Sequence, residues 1–176
     1  NFNDYYDPAR KRANEQRLCA YPNFGMVEAD VRDRATLLRL FEDARFDAVG
    51  HLAAMAGVRD AVKQPDLYVN VDLNGTQNLL DAARAAGNVG NFVMASTSSV
   101  YGNTTRLPFI ETDPCDRPLQ PYAAAKRAAE ILGHQRNAFA FEPVAGKVGV
   151  ALANRHQDRG DDGAAAASLG DESRVG

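Results

Sequence analysis

The sequence of 176 residues has no tryptophan, only two cysteines, three histidines and three methionines. Cys19 and Cys115 lie far apart and form no CxxC pair, which excludes a disulfide-built scaffold and a thiolate zinc ribbon. They read as free thiols of a reducing, cytoplasmic compartment, with a single Cys19–Cys115 bridge left open. His51, His134 and His156 have no ligand spacing with them, so no metal is expected. No run approaches the roughly 18 consecutive apolar residues of a membrane helix. An excess of basic charge is also missing. Twenty Lys and Arg face 23 Asp and Glu, a net charge of −3, which argues against nucleic acid or an anionic membrane surface as partner. The opening Asn1-Phe2-Asn3-Asp4-Tyr5-Tyr6-Asp7 has neither the basic start nor the apolar stretch of a secretory leader. It does not begin with Met.

What remains is an ordinary globular composition, 45% hydrophobic and 24% charged, long enough for one sizeable core. No internal repeat is found. Strand and helix signals alternate up to about residue 134. The pattern predicts strands over 24–28, 47–52 and 91–95. Asp33 is a helix cap for 34–44, whose Leu37, Leu38, Leu40 and Phe41 make one apolar face. Pro65 suits a first helical position, and a long helix over 67–86 should end at Gly87. Pro121 opens another over 122–132, with Gly133 as its stop. Such alternation predicts a parallel sheet covered on both faces. The strand ends are small or polar: Glu28-Ala29-Asp30-Val31, His51-Leu52-Ala53-Ala54 and Ala95-Ser96-Thr97-Ser98. Ligands of open α/β sheets bind beyond the carboxyl ends of the strands, so one crevice lined by these segments is expected. Beyond Gln135 the pattern weakens. Residues 139–152 retain enough alternation at Val148 and Val150 for a strand or hairpin. Residues 153–176 are rich in Gly, Ala, Asp and Arg and are expected to be mobile.

One motif carries chemistry. Tyr122-Ala123-Ala124-Ala125-Lys126 is a Tyr-x-x-x-Lys on a predicted helix, and a spacing of four puts both side chains on one face. An ammonium beside a phenol favours the phenolate, which makes the tyrosine a usable acid or base near neutral pH. Thr97-Ser98-Ser99-Val100-Tyr101-Gly102, after the third strand, supplies hydroxyls for the same substrate oxygen.

These two segments in order resemble the extended short-chain dehydrogenase/reductase family, and within it the NAD-dependent nucleotide-sugar epimerases and dehydratases. They are most like those of UDP-glucuronate 4-epimerases. Supporting segments are Asn1-Phe2-Asn3-Asp4-Tyr5-Tyr6-Asp7-Pro8, His51-Leu52-Ala53-Ala54-Met55-Ala56-Gly57-Val58-Arg59, and Asn103-Thr104-Thr105-Arg106-Leu107-Pro108-Phe109. The resemblance covers residues 1 to about 134 and implies a truncated, doubly wound, Rossmann-like NAD(P)-binding domain, with 135–176 as a divergent, partly disordered tail. It implies NAD as cofactor and a nucleotide sugar as substrate. It implies Thr97, Tyr122 and Lys126 as the catalytic set, with Tyr122 as base and Lys126 on the nicotinamide ribose. It places Asp30 and Val31 at adenine, and Leu52, Ala53, Ala54 and Ala56 along the phosphates and ribose. Asn1 falls near the adenosine ribose. Ser98, Ser99 and Tyr101 fall at the sugar, with plain packing left open for Tyr101. A homodimer is compatible with a full-length parent.

The family's Gly-rich phosphate turn and first strand have no counterpart in this sequence, and neither do the substrate segments after His134. The family pattern Asn-x-x-Gly-Thr reads here as Asp72-Leu73-Asn74-Gly75-Thr76, with Asp72 at a cofactor-proximal position. The expectation is an epimerase lineage whose 176-residue chain is inactive as it stands. A 4,6-dehydratase and a non-enzymatic remnant are the alternatives. His51 is expected to be structural. Arg59, Lys11, Arg12 and the charges of 32–34 are expected at the surface.

Overall fold

The computed structural model describes residues 1–138 and 148–152. Its elements, in chain order, are α1 (Pro8–Leu18), α2 (Arg34–Ala44), β1 (Ala48–His51), α3 (Val58–Lys63), α4 (Pro65–Tyr68), α5 (Gly75–Ala86), β2 (Asn91–Ser96), α6 (Pro121–Ala138) and β3 (Val148–Leu152). A π-helical segment, Val69–Asn74, joins α4 to α5, and a 3₁₀ turn, Ser98–Tyr101, follows β2. The strands make one parallel sheet in the order β1-β2-β3. Ala48 pairs with Asn91 and His51 with Met94, while Phe92 pairs with Val148 and Ser96 with Leu152.

The caps explain the ends. Asp33 accepts from the Thr36 backbone N–H at 3.1 Å, which satisfies one of the first free amides of α2. Gly87, with φ of 70°, closes α5 in the left-handed conformation that costs glycine nothing. Leu37 and Phe41 of α2, Leu79, Leu80 and Ala82 of α5, Phe92 and Met94 of β2 and Ala129 of α6 form the core.

Four expectations need correction. Residues 24–28 are not a strand. No described strand runs beside them to complete a ladder, and Met26 and Val27 stay exposed. The helix expected over 67–86 is interrupted by the π segment, after which α5 starts flush against Val31: a Cβ on Gly75 would collide with the Val31 side chain. Gly133 is buried inside α6 and does not end it. A helical glycine costs only about 1 kcal/mol, and Gln135 and Arg136 are good helix formers. Finally, the described helices cover one face of the sheet. Val49, Phe92 and Met94 pack into the core, while Gly50 and Val93 on the other face are exposed.

The strand expected within 139–152 is β3 for 148–152. Residues 139–147 and the 153–176 segment expected to be mobile lie outside the described residues. Both cysteines are free thiols. Among the described residues no helix is long and apolar enough to cross a membrane, and no cluster of His, Cys, Asp and Glu is arranged to hold a metal ion.

Candidate functional site

β1 ends on the buried His51, and the chain then breaks outward through Leu52, Ala53 and Ala54, all exposed. This turn is held from beneath. The Met55 backbone N–H donates to Asp72 Oδ1 at 2.7 Å. The Tyr68 hydroxyl lies against the Ala56 and Gly57 carbonyls at 2.8 and 2.9 Å. Gly57 has φ of 106°, and a Cβ there would strike the Tyr5 hydroxyl. The result is an open cleft of about 470 Å³ that gathers Asn1, Asp30, Val31, Leu52, Ala53, Ala54 and Ala56. Seven of the residues singled out for a cofactor therefore share one surface.

Asp30 is the most heavily bonded of the charged groups that line that cleft, with Asp4, Lys11 and Arg32. Its Oδ1 accepts from the Arg32 backbone N–H and Nε at 2.9 Å, and its Oδ2 accepts from an Arg32 guanidinium nitrogen at 2.8 Å and from Asn1 Nδ2 at 2.9 Å. The Arg32 guanidinium holds this carboxyl far below the usual carboxylate range, helped by the Asn1 amide. Four bonds use the full accepting capacity of a carboxylate. A ligand amine meeting Asp30 must displace one of them. Lys11, expected as a plain surface charge, donates to the Asn3 carbonyl and to Asn3 Oδ1, both at 2.7 Å. Arg12 stacks 3.5 Å over the Phe2 ring and pairs with Glu28. Both therefore tie the first residues to α1. Arg59 is exposed, as expected.

Tyr122 and Lys126 lie outside the cleft lining, on the first turns of α6. The Tyr122 ring stands edge-on to Tyr68, centroids 6.1 Å apart. Lys126 is 3% exposed. Burial lowers its pKa, and the charges of Asp72 and Glu130 pull it back up. Asp72 is 1% exposed and its Oδ2 has no partner. Burial pushes its carboxyl up to about 6, against the opposing pull of the Met55 N–H and Lys126. His51 is also buried. Its Nε2 lies 2.9 Å from Thr76 Oγ1, whose proton goes to the Asp72 carbonyl at 2.5 Å. Since that hydroxyl proton is committed, Nε2 must be the donor, which leaves Nδ1 unprotonated in the neutral ring. Burial and the Lys126 charge lower the His51 pKa to about 4. The expectation of a structural His51 agrees with this geometry.

Thr97 is extended and caps the 3₁₀ turn. Its Oγ1 accepts from the Ser99 backbone N–H at 3.3 Å and lies 3.3 Å from Ser99 Oγ. Ser98 is exposed and Ser99 half-buried. Tyr101 lies elsewhere, in a second cavity of about 660 Å³ with Cys115, Arg127, Glu130 and His134. Its hydroxyl donates to the Ile110 carbonyl at 3.1 Å, and its ring stacks on Phe109 at 4.4 Å. Sequence reasoning missed Tyr68, Thr76 and Glu130. Ser96 Oγ donates to Glu130 Oε1, and Arg127 joins Glu130 Oε2 to the Pro114 carbonyl, at 2.7 and 2.8 Å. The residue before Thr97 is thus tied to the helix that carries Tyr122. The spacing of Glu130, four beyond Lys126, was the available signal.

The profile of the GDP-mannose 4,6 dehydratase family matches residues 4–145. UDP-glucuronate 4-epimerase 3 of Arabidopsis thaliana is 47% identical over 137 residues, 78% of this chain and 32% of the relative. The UDP-Glc/GlcNAc 4-epimerase of Campylobacter jejuni superposes with a TM-score of 0.68 at 28% identity, over 72% of this chain and 38% of that one. The dTDP-glucose 4,6-dehydratase DesIV of Streptomyces venezuelae, solved as a double mutant with NAD and DAU bound, also gives 0.68. It is 32% identical over 73% of this chain and 39% of its own. The chain spans about a third of the length of the curated relatives it matches. With that profile covering most of its length and with epimerases and dehydratases of the same parallel fold as neighbours, the chain belongs to the GDP-mannose 4,6 dehydratase family of extended short-chain dehydrogenases/reductases.

Proposed function

We propose that this chain carries the NAD-binding and proton-transfer part of a nucleotide-sugar 4-epimerase of the UDP-glucuronate type. The observation that carries the reading is Tyr122 placed four residues before a buried Lys126 on α6, while Thr97 directly follows β2, whose last residue, Ser96, is bonded to Glu130 of α6. The curated relatives at 44–47% identity bear the name UDP-glucuronate 4-epimerase. The cleft suits the adenosine end of a dinucleotide, since Ala53, Ala54 and Ala56 leave a flat ring room to approach. The Asn1 amide is the contact most easily surrendered by Asp30 to an adenine amine, because Asn1 is exposed and uncharged. A cytoplasmic setting and, in a longer parent, a homodimer belong to the same proposal.

When bound, NAD supplies a hydride acceptor and donor. The protein's part is position and proton transfer. Tyr122 takes the proton of the sugar 4-hydroxyl and later returns one. Lys126, one turn along the same face, favours the phenolate and meets the ribose hydroxyls. Thr97 donates to the sugar oxygen that Tyr122 deprotonates. Ser98 and Ser99 line the sugar, with Tyr101 behind them. A 4,6-dehydratase must also remove water across C5–C6, and the dehydratases of this family place an Asp-Glu pair after the Thr. Ser98 and Ser99 occupy those positions, and neither hydroxyl has a pKa suited to that work.

The 176-residue chain itself is proposed to hold NAD weakly, at roughly millimolar Kd, and not to turn over. It contains no Gly-x-Gly turn to cradle the pyrophosphate. Calorimetry of this chain, and of one extended by the strand–turn–helix of a relative, tests the reading. The extended protein should bind NAD, and once the segments of the relative that follow residue 134 are also supplied it should convert UDP-glucuronate to its C4 epimer. Tyr122→Phe should abolish conversion and spare NAD binding. A 4-keto-6-deoxy product would overturn the epimerase assignment. Micromolar NAD binding by the unextended chain would overturn the proposed weakness.

A further inference from the structure

The site contains a buried carboxylate that the proton-transfer scheme does not use. Asp72 lies in the π segment, the one place where the long helix departs from regular winding. Such segments recur at functional positions. Its two oxygens are in different situations. Oδ1 receives the Met55 N–H at 2.7 Å and so fixes the turn that forms one wall of the cleft. Oδ2 is buried and unpartnered. An unpaired buried carboxylate oxygen is costly unless a nearby charge compensates it. The compensating charge is Lys126, also buried, on the helix packed against the π segment.

We propose that Asp72 is a positioning residue that couples the 52–56 turn to Lys126: one oxygen fixes the turn, and the negative charge keeps Lys126 an ammonium. Lys126 also faces Glu130 on α6 and His51 on β1. Asp72 further lies in the field of Tyr68 on α4, which itself faces Tyr5, Asp60 and Tyr122. Glu130 is the weaker partner, since its charge is already shared with Ser96 and Arg127. Asp72 accepts only the neutral Met55 N–H, on Oδ1, and its Oδ2 is bonded to nothing. Removing its charge leaves Lys126 buried with one distracted carboxylate, and its proton affinity falls. Protonating Asp72 has the same effect and loosens the Met55 bond as well, so the turn and the lysine respond to one event.

The consequence for catalysis rests on the roles proposed above for Tyr122 and Lys126. The coupling does not, because it is measured without NAD or sugar. In the full chain, the side-chain resonances of Lys126 are assigned with Lys126→Arg and titrated by NMR. Asp72→Asn should lower the proton affinity of Lys126 at least tenfold. Glu130→Gln should lower it less. In the wild-type chain, the Met55 amide proton should move with Asp72 between about pH 5 and 7, a readout that survives should Asp72→Asn fail to fold. An unchanged Lys126 titration in folded Asp72→Asn, or a Met55 amide that ignores pH over that range, overturns the proposal. Coupling without NAD binding by the extended protein sinks only the epimerase reading. NAD binding without coupling sinks only this one.

Discussion

The open cleft and the α6 side of the site are built from different material. No residue before Leu37 is buried, and α1 has no buried residue at all. Charges there pair in solvent, Asp30 with Arg32 and Arg12 with Glu15 and Glu28. On the α6 side, Lys126, Asp72, His51, Thr76 and Glu130 are all buried. Solvated pairs shape a surface at little energetic consequence. Buried polar groups are different, because each must find a partner within a packed core. The Asn1–Asp30–Arg32 side of the cleft can therefore adjust to what it meets, while the α6 side, with the 52–56 turn that Asp72 and Tyr68 hold, is preorganised and its titrations are displaced by burial.

The largest break in that contrast would come from the core beneath α6. Phe92 is 5% exposed under β2, and Leu52 is 79% exposed at the rim of the cleft. Phe92→Ala removes a large ring from a packed cluster and should cost about 3–5 kcal/mol. Leu52→Ala should cost under about 0.5 kcal/mol. Urea unfolding followed by circular dichroism gives both numbers. Comparable costs would mean that the turn after β1 is as integral to folding as β2, and the contrast would fail.

A smaller effect comes from pH, where two buried groups of the α6 side oppose each other. His51 titrates near 4 in the fold against an ordinary 6.5. Its stabilising contribution is complete above pH 6.5 and is lost as pH falls toward 4. Asp72 titrates near 6 against an ordinary 3.8. Its contribution is complete below pH 4 and is lost as pH rises through 6. Between pH 7 and 5 the two partly cancel in the wild type. Asp72→Asn should expose the His51 part, a loss of about 2 kcal/mol over that range. His51→Gln keeps a donor for Thr76 and should expose the Asp72 part, a gain of about 1 kcal/mol. Parallel stability–pH profiles for the two variants would show that these groups do not titrate as their burial implies.

The contrast also sorts what could be read from the residues. The Asp33 cap, the Gly87 stop and the strand at 91–95, which the structure extends by one residue to Ser96, depend on local chemistry, and each is visible in order. The rule that parallel strands open their carboxyl ends to ligands points to residues 28–31, 51–54 and 95–98. Asp30, Val31 and residues 52–54 share the cleft, the third segment does not line it, and Asn1 and Ala56 are implied only by the family resemblance. Residues 24–28 have a strand's composition, but a ladder needs a neighbour, and composition is silent about neighbours. The π segment was invisible because 69–74 has the composition of an ordinary helix and its packing against α6 is tertiary. The His51–Thr76–Asp72 network was invisible for a related reason: each member looks like an ordinary polar residue until the fold buries all three together. The Tyr122–Lys126 pair could be read, but its electrostatics could not, since the charges around Lys126 come from the π segment and from one helical turn further on.

The smallest effect concerns the cleft and asks whether its charges are as loosely held as solvent pairing implies. In Arg32→Ala, Asp30 loses the guanidinium that chiefly depresses its carboxyl and keeps the Asn1 amide and the residue-32 backbone N–H. Its titration should therefore rise toward the ordinary carboxylate range, read from its carboxyl carbon by NMR. Asp30 contributes stability above the unfolded carboxylate pKa of about 4 and loses it as pH falls further. The variant should thus be less sensitive to acid than the wild type below pH 4. At pH 7 the cost should lie between about 0 and 1 kcal/mol, because the Arg32 side chain is 48% exposed and the pair is screened by solvent. One molar salt should erase most of that difference, since screening then acts within about 3 Å. The Lys126 titration should not move, because the nearest charges it answers to are Asp72 and Glu130. A cost that persists in high salt, or a displaced Lys126, would mean that Asp30 is wired into the buried network, and that the cleft and the α6 side are one rigid site rather than an adjustable surface beside a preorganised one.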